Sequence, residues 1–280
     1  GRATVAELDV PAGRRADQIR VNLERIRWVF RDVVDDVVVV NIAGFDLWLV
    51  RGRQVEWRTR VQVGTPFHQT PVFTDLMTYV VLNPSWTVPP GILRNEVLPA
   101  IRRDPGYLAA ERLRLFDPGG REVDPATVDL AGPFPYTVRQ DPGPDNSLGV
   151  VKLMFPNPYH VYLHDTPSKG RFSRAARAFS HGCIRVEDPL QLTELVLAGS
   201  DWDRDRIDAV IASGMTTTVT LPTPLPVMLL YWTVEVEPDG TALFFQDPYE
   251  RDDEVIAGLS EPFAVAPGQV PVGVPDATPR

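Results

Sequence analysis

Apolar residues dominate residues 37–50 of this chain, in two runs of β-branched and aromatic side chains at 37–42 and 45–50. Runs of that length and type predict neighbouring strands, and the alternating segment 55–63 predicts a third, with Arg51-Gly52-Arg53-Gln54 as the hairpin turn. Further strand-like segments follow at 77–82, 149–155, 160–164 and 216–221. Segments 227–236 and 241–245 flank Pro238-Asp239-Gly240, a strong turn signal. Helical spacing is rarer. Ile19, Leu23, Ile26 and Phe30 fall 4, 3 and 4 apart and predict a helix over 16–30 with one apolar face, preceded by an extended arm. Residues 189–198 and 204–212 predict short helices, the second stopped by Gly214. The expected fold class is mainly β with helical additions.

The texture changes between Pro90 and Pro133. Segments 96–103 and 107–115 carry helical spacing, and Asp104-Pro105-Gly106 separates them. A charged helical excursion between two β regions reads as an insertion. The expected division is an N-terminal arm and helix over 1–36, a β-rich domain over 37–255 with 91–132 inserted, and a Pro/Gly-rich tail over 256–280.

Composition narrows the function classes. A net charge of −9 argues against a nucleic-acid binder, which displays a basic face. No run approaches the ~18 apolar residues that span a membrane, and the first residues lack the apolar stretch of a signal peptide. One cysteine cannot form an internal disulfide.

That cysteine, Cys183, sits in Ser180-His181-Gly182-Cys183-Ile184-Arg185. A thiol nucleophile needs a base and backbone N–H groups for the oxyanion, and Gly182 beside it permits a close approach to the main chain. The candidate base is His164, in Tyr162-Leu163-His164-Asp165-Thr166-Pro167; the alternative for Cys183 is a buried structural thiol. His181, two residues from Cys183, shares its face in an extended segment, so geometry leaves it open as the base. Arg185 also shares that face, where it could pair structurally or hold a substrate carboxylate in a bidentate fork. Zinc is the competing chemistry, through His160 and His164. On a strand these stand ~13 Å apart, at ~3.3 Å per residue, which is unfavourable for one metal.

His164, a gap of 15 residues, then Ser180-His181-Gly182-Cys183 resembles the L,D-transpeptidases with a YkuD-type catalytic domain. The run Arg177-Ala178-Phe179-Ser180-His181-Gly182-Cys183-Ile184-Arg185-Val186 is similar to the branch of large periplasmic enzymes that join two diaminopimelate side chains. Leu82-Asn83-Pro84-Ser85-Trp86 and Leu229-Leu230-Tyr231-Trp232-Thr233 carry the same resemblance, which extends over about residues 15–250. It implies a β-sandwich catalytic domain with an inserted cap, no cofactor, and a periplasmic or cell-envelope location. The implied partners are peptidoglycan stem peptides, with carbapenem β-lactams as covalent inhibitors. Cys183 would attack the diaminopimelate–D-Ala amide of a tetrapeptide stem and pass the acyl group to a second stem. His164 would be the base, oriented through the Asp165 carbonyl with possible help from its carboxylate, while Gly182 and His181 shape the site. Ser180, Arg185, Tyr162, Trp86, Tyr79 and Asn157 are the candidate substrate-binding residues, with core packing as the alternative for the three aromatics. Lys169 and Arg177 could meet an anionic stem or simply lie in a solvated loop. The same fold could serve a hydrolase or an idle wall-binding protein. The peptidoglycan-binding module of full-length members has no counterpart here, so the chain reads as a truncated or trimmed relative.

Overall fold

The computed structural model describes residues 5, 7–29, 34–104, 106–130 and 132–261. Strands β1 (Val37–Asn41), β2 (Asp46–Arg51), β3 (Gln54–Gly64) and β4 (Phe73–Leu82) form where the β-branched runs lie. They join β9 (Val151–Met154), β10 (Leu163–His164), β11 (Ala178–Ser180), β12 (Ile184–Val186) and β13 (Thr217–Leu230) in one nine-stranded sheet. Its order is β11-β3-β12-β10-β9-β4-β13-β1-β2, and β2 also pairs with β3, so the two layers of the expected sandwich join at their edges. β1–β13, β10–β12 and β11–β3 are parallel. Inside the sheet, Val38, Leu47, Val61, Val80, Leu153, Leu163, Ile184 and Val227 make one buried core. The Val37–Val40 run is continuous because its outward residues are buried too: Val37 and Val39 pack with Trp48, Met228 and Leu230. The Pro238-Asp239-Gly240 turn closes a two-stranded hairpin of β14 (Val234–Val236) and β15 (Ala242–Phe244).

The N-terminal helix, α1, begins earlier than its spacing suggests, at Ala12, and runs to Val29. Its apolar row is not the buried one. Ile19, Leu23 and Ile26 are exposed and border an open groove with Trp48, Val55 and Trp232, while Phe30 lies outside the described residues. The helix instead docks through Val21, Asn22 and Arg25. Asn22 exchanges hydrogen bonds with Thr233 at 2.8 and 2.9 Å, and Arg25 pairs with Asp252 at 2.6 Å. Specific polar partners therefore outweigh hydrophobic periodicity in setting the helix's rotation. Of the expected tail over 256–280, residues 256–260 belong to a helix, Asp252–Ser260, which carries Asp252, and residues 262–280 lie outside the described residues.

The excursion is wider than 91–132 and not only helical. β5 (Trp86–Thr87), β6 (Leu113–Phe116), β7 (Glu122–Val123) and β8 (Thr137–Gln140) form a separate four-stranded sheet. Its strands and the helical run cover their own core of Val88, Val97, Ile101, Leu108, Leu113, Leu115 and Val138. That run is α-helical at Pro90–Ile92 and Leu98–Arg103 and π-helical between them, at Leu93–Val97.

Candidate active site

Strand register places the candidate chemistry on the sheet face opposite the core. His164 on β10 stands between Lys152 on β9 and Arg185 on β12, and Arg185 in turn faces Gln62 on β3. The intervening residues Leu153, Leu163 and Ile184 point into the core, so period-two alternation sends this row outward. One step back along the parallel pair, Tyr162 lies opposite Cys183, and the Ile184 N–H donates to the Tyr162 carbonyl at 3.1 Å. Tyr162 stands edge-on to His164 with ring centroids 5.6 Å apart. Tyr79, paired with Met154 on β9, belongs to the same row as Tyr162. Cys183 is a free, half-buried thiol whose Sγ–H points to the His160 carbonyl at 3.7 Å.

The buried ring of His164 has a defined tautomer. Its Nδ1 lies 2.5 Å from the Asp165 carbonyl oxygen, which can only accept, so Nδ1 carries the hydrogen and Nε2 keeps the lone pair. Burial, then the neighbouring Arg185 charge, holds the imidazole down to about 3, against the weaker opposing pull of the Asp165 and Leu148 carbonyls. Burial raises the Cys183 thiol, while the Tyr162 hydrogen bonds and the charges of Arg185 and Lys152 pull it back. The resting pair is thus a neutral thiol and a neutral imidazole. Such a pair can exchange a proton as the sulfur attacks, without a preformed imidazolium.

Several expected roles change. The Asp165 carboxylate does not help the ring: it accepts from the Val150 N–H at 3.0 Å and pairs with Lys169. Only its carbonyl orients His164. Gly149, at φ +60, makes room for that carboxylate, since a Cβ there would fall 2.2 Å from Oδ2. Ser180 is buried, and its hydroxyl is engaged within the loop. Its hydroxyl donates to the Cys183 carbonyl at 2.5 Å and accepts from the Gly182 N–H at 3.1 Å, which removes that N–H from oxyanion binding. Gly182 serves by its φ of +113, which side chains rarely adopt. Asn157 spends its amide on its own turn, donating to the Phe155 and Val161 carbonyls and accepting from the Tyr159 and Val161 N–H groups. Trp86 packs against the core of the insertion. His181 is no candidate base in this arrangement, because its Nε2 meets Glu96 of the π-helical segment at 2.6 Å and its ring lies 4.8 Å from that of His68. Lys169 and Arg177 are both engaged internally, Arg177 with the Val61 and Phe45 carbonyls.

The residues that hold the nucleophile loop carry little signal in the sequence. Thr70 Oγ donates to the Gly182 carbonyl at 2.8 Å and accepts from the Gly64 N–H at 2.9 Å. The Tyr249 hydroxyl receives the Thr70 N–H at 3.1 Å and donates to the Gly64 carbonyl at 2.7 Å. Tyr231 then receives the Tyr249 N–H at 2.8 Å and bonds Asp247. Thr70, in Gln69-Thr70-Pro71-Val72-Phe73, and Tyr231 lie in stretches that resemble the family branch, whereas Tyr249 lies in none. Lys152 was equally silent, a single charge in an apolar run.

The chain matches the family model of the L,D-transpeptidase catalytic domain (YkuD) over residues 35–220. It is 34% identical over 265 residues to a curated Haemophilus influenzae protein described as a putative L,D-transpeptidase, covering 91% of this chain and 53% of that protein. The chain therefore spans about half the length of that relative. Solved structures similar to it include an Enterococcus faecium L,D-transpeptidase, at TM-score 0.35 and 10% identity, over 71% of this chain and 50% of that one. Another is L,D-transpeptidase 3 from Mycobacterium tuberculosis with a faropenem-derived adduct, at TM-score 0.31 and 12% identity, over 70% of this chain and 60% of that one. With the sequence match spanning most of the sheet, the chain belongs to the L,D-transpeptidase family.

Proposed function

We propose that Cys183 is the nucleophile of a peptidoglycan L,D-transpeptidase and that His164 is its base. The observation that carries this reading is the shared outward face of Tyr162, His164, Cys183 and Arg185, with the Nδ1 contact to the Asp165 carbonyl leaving the ring lone pair on Nε2. In the acylation step Cys183 Sγ bonds to the carbonyl carbon of diaminopimelate in a tetrapeptide stem. Its proton passes to Nε2 and then to the departing D-alanine amine as the amide bond breaks. In the second step the amine of another stem attacks the thioester, His164 takes its proton, and Sγ leaves with a proton restored. Arg185, whose Nε is buried without a hydrogen-bond partner, is suited to a stem carboxylate. The insertion reaches the nucleophile loop through Glu96 and His181, which supports its reading as a cap over the substrate groove. This chemistry belongs in the cell envelope, where stem peptides are found, and its protein groups require no cofactor.

The test is incubation with purified tetrapeptide fragments and identification of products by mass spectrometry. Cross-linked dimers plus free D-alanine are expected from the wild type and not from Cys183→Ala. Trimmed stems without dimers would make the enzyme a hydrolase, and no product from either protein would leave a wall-binding role.

A further inference from the structure

Lys152 and Arg185 are half-buried cations of the outward row, and among the described residues neither has a carboxylate partner. Arg25 is paired with Asp252, Arg58 with Asp46 and Glu235, and Arg177 with Asp46, while half-buried Arg139 lies over the Phe116 ring. Removing a cation from water without a counter-charge is unfavourable, and burial lowers the proton affinity of both groups. Cys183, once it has lost its proton, raises the proton affinity of both cations.

The surroundings of Lys152 are fully accounted for. On β10 it faces His164 and, at 5.6 Å from ammonium to ring centroid, the face of Tyr162. On β4 its register partner is Val81, with Tyr79 two residues away on the same face. Beyond β10 lie Cys183 and Arg185, and behind Arg185 the charge of Arg171. Lys169, the chain's other lysine, is bound to Asp165. The row therefore has two cations, a histidine that stays neutral between them, and a single thiol.

We propose that Lys152 is a further functional residue of this site, whose ammonium, together with the Arg185 guanidinium, supplies the positive charge that stabilises the Cys183 thiolate in place of an imidazolium. When the Sγ proton moves to His164 Nε2, the electron pair left on sulfur faces a charge already in position on the neighbouring strands. The imidazole carries no charge until that proton arrives, so the standing charge is that of Lys152 and Arg185. This rests on Cys183 being the nucleophile, but its test does not depend on stem-peptide turnover.

The test is the pH profile of Cys183 alkylation by iodoacetamide, read by intact mass, for the wild type, Lys152→Met, Lys152→Arg and His164→Asn. Lys152→Met should move the midpoint up by about one pH unit, cutting the rate about tenfold at pH 7. Lys152→Arg should restore it to within about threefold, and His164→Asn should leave the midpoint within a few tenths. An unmoved midpoint in folded Lys152→Met, or a midpoint that moves with His164→Asn instead, overturns the proposal. A second measurement needs no substitution at Lys152: with ¹³Cε-labelled lysine, the Lys152 resonance should step at the thiol midpoint in the wild type and lose that step in Cys183→Ser. Absence of the step overturns it as well. If the alkylation shifts hold but tetrapeptides yield no product, the transpeptidase reading fails alone.

Discussion

At the scale of single residues, the proposed site combines a sulfur nucleophile with a base kept uncharged. An activated lactam carbonyl is open to the same attack as the stem amide, so a carbapenem should add once, on Cys183, as a mass increase absent from Cys183→Ala. An adduct elsewhere, or unmodified protein after prolonged exposure, would count against the site. The neutral histidine also has a thermodynamic signature. In the unfolded chain His164 takes up a proton near pH 6.5, whereas in the native state burial and Arg185 delay this to about 3. Between those values the unfolded state binds more protons, so stability falls as pH is lowered through that window and is unaffected by this group above it. Urea unfolding at pH 7 and pH 5 should show the wild type losing about 2 kcal/mol more than His164→Asn, at up to ~1.4 kcal/mol per pH unit. Equal losses would mean that the ring is protonated in the native protein. Legibility at this scale was uneven. Cys183 and His164 stand in a long, specific motif, whereas Asn157 and Ser180 are polar residues near the nucleophile whose hydroxyl and amide are consumed by the backbone. A sequence cannot distinguish a polar group aimed at substrate from one that closes its own turn.

At the scale of elements, β-branched runs announce strands because stiff side chains suit a pleated surface, and β1 to β4 lie where those runs predict. Helix α1 shows the limit. Its apolar spacing is genuine, yet the docked face is set by Asn22 and Arg25, whose partners Thr233 and Asp252 lie more than 200 residues away. Periodicity reports what a helix could bury, and only the fold supplies the partner. The Arg25–Asp252 pair is a strong test of that docking. Both side chains are nearly inaccessible, and Thr233 Oγ also donates to Asp252 at 2.8 Å. Asp252→Ala would leave a buried guanidinium unpaired and should cost about 3–5 kcal/mol in urea unfolding. A loss below ~1 kcal/mol, the range of a surface ion pair, would show that water reaches Arg25 freely. The insertion was legible as an excursion and not as a sheet, because β5 and β7 are two-residue strands with no periodicity to detect.

At the scale of the whole molecule, two separate cores meet at the nucleophile loop. The insertion has its own hydrophobic cluster and touches the loop through Glu96 and His181. Excising it and joining the strands that flank it should separate chemistry from substrate capture. A small lactam should still acylate Cys183, while cross-linking of stem peptides should fall at least tenfold. Equal loss of both activities in a folded variant would assign the insertion to the catalytic geometry itself.

The hydrogen-bonded series from Gly182 through Thr70 and Tyr249 to Asp247 also bears on the order in which the protein is made. Tyr249 is synthesised 66 residues after Cys183. At about 5–20 residues per second, the ribosome completes the thiol several seconds before it completes the clamp on the loop. A nascent chain ending at Gln246 already holds Cys183, His164, Lys152 and Arg185, yet Thr70 has no hydroxyl from Tyr249 to hold it. Such a truncated chain should alkylate at Cys183 with the pH midpoint of an unstructured cysteine and bind no carbapenem, and restoring residues 247–261 should recover both. Acylation by a lactam would then be a late event in the protein's life, acquired only when Tyr249 and the Asp252–Ser260 helix arrive.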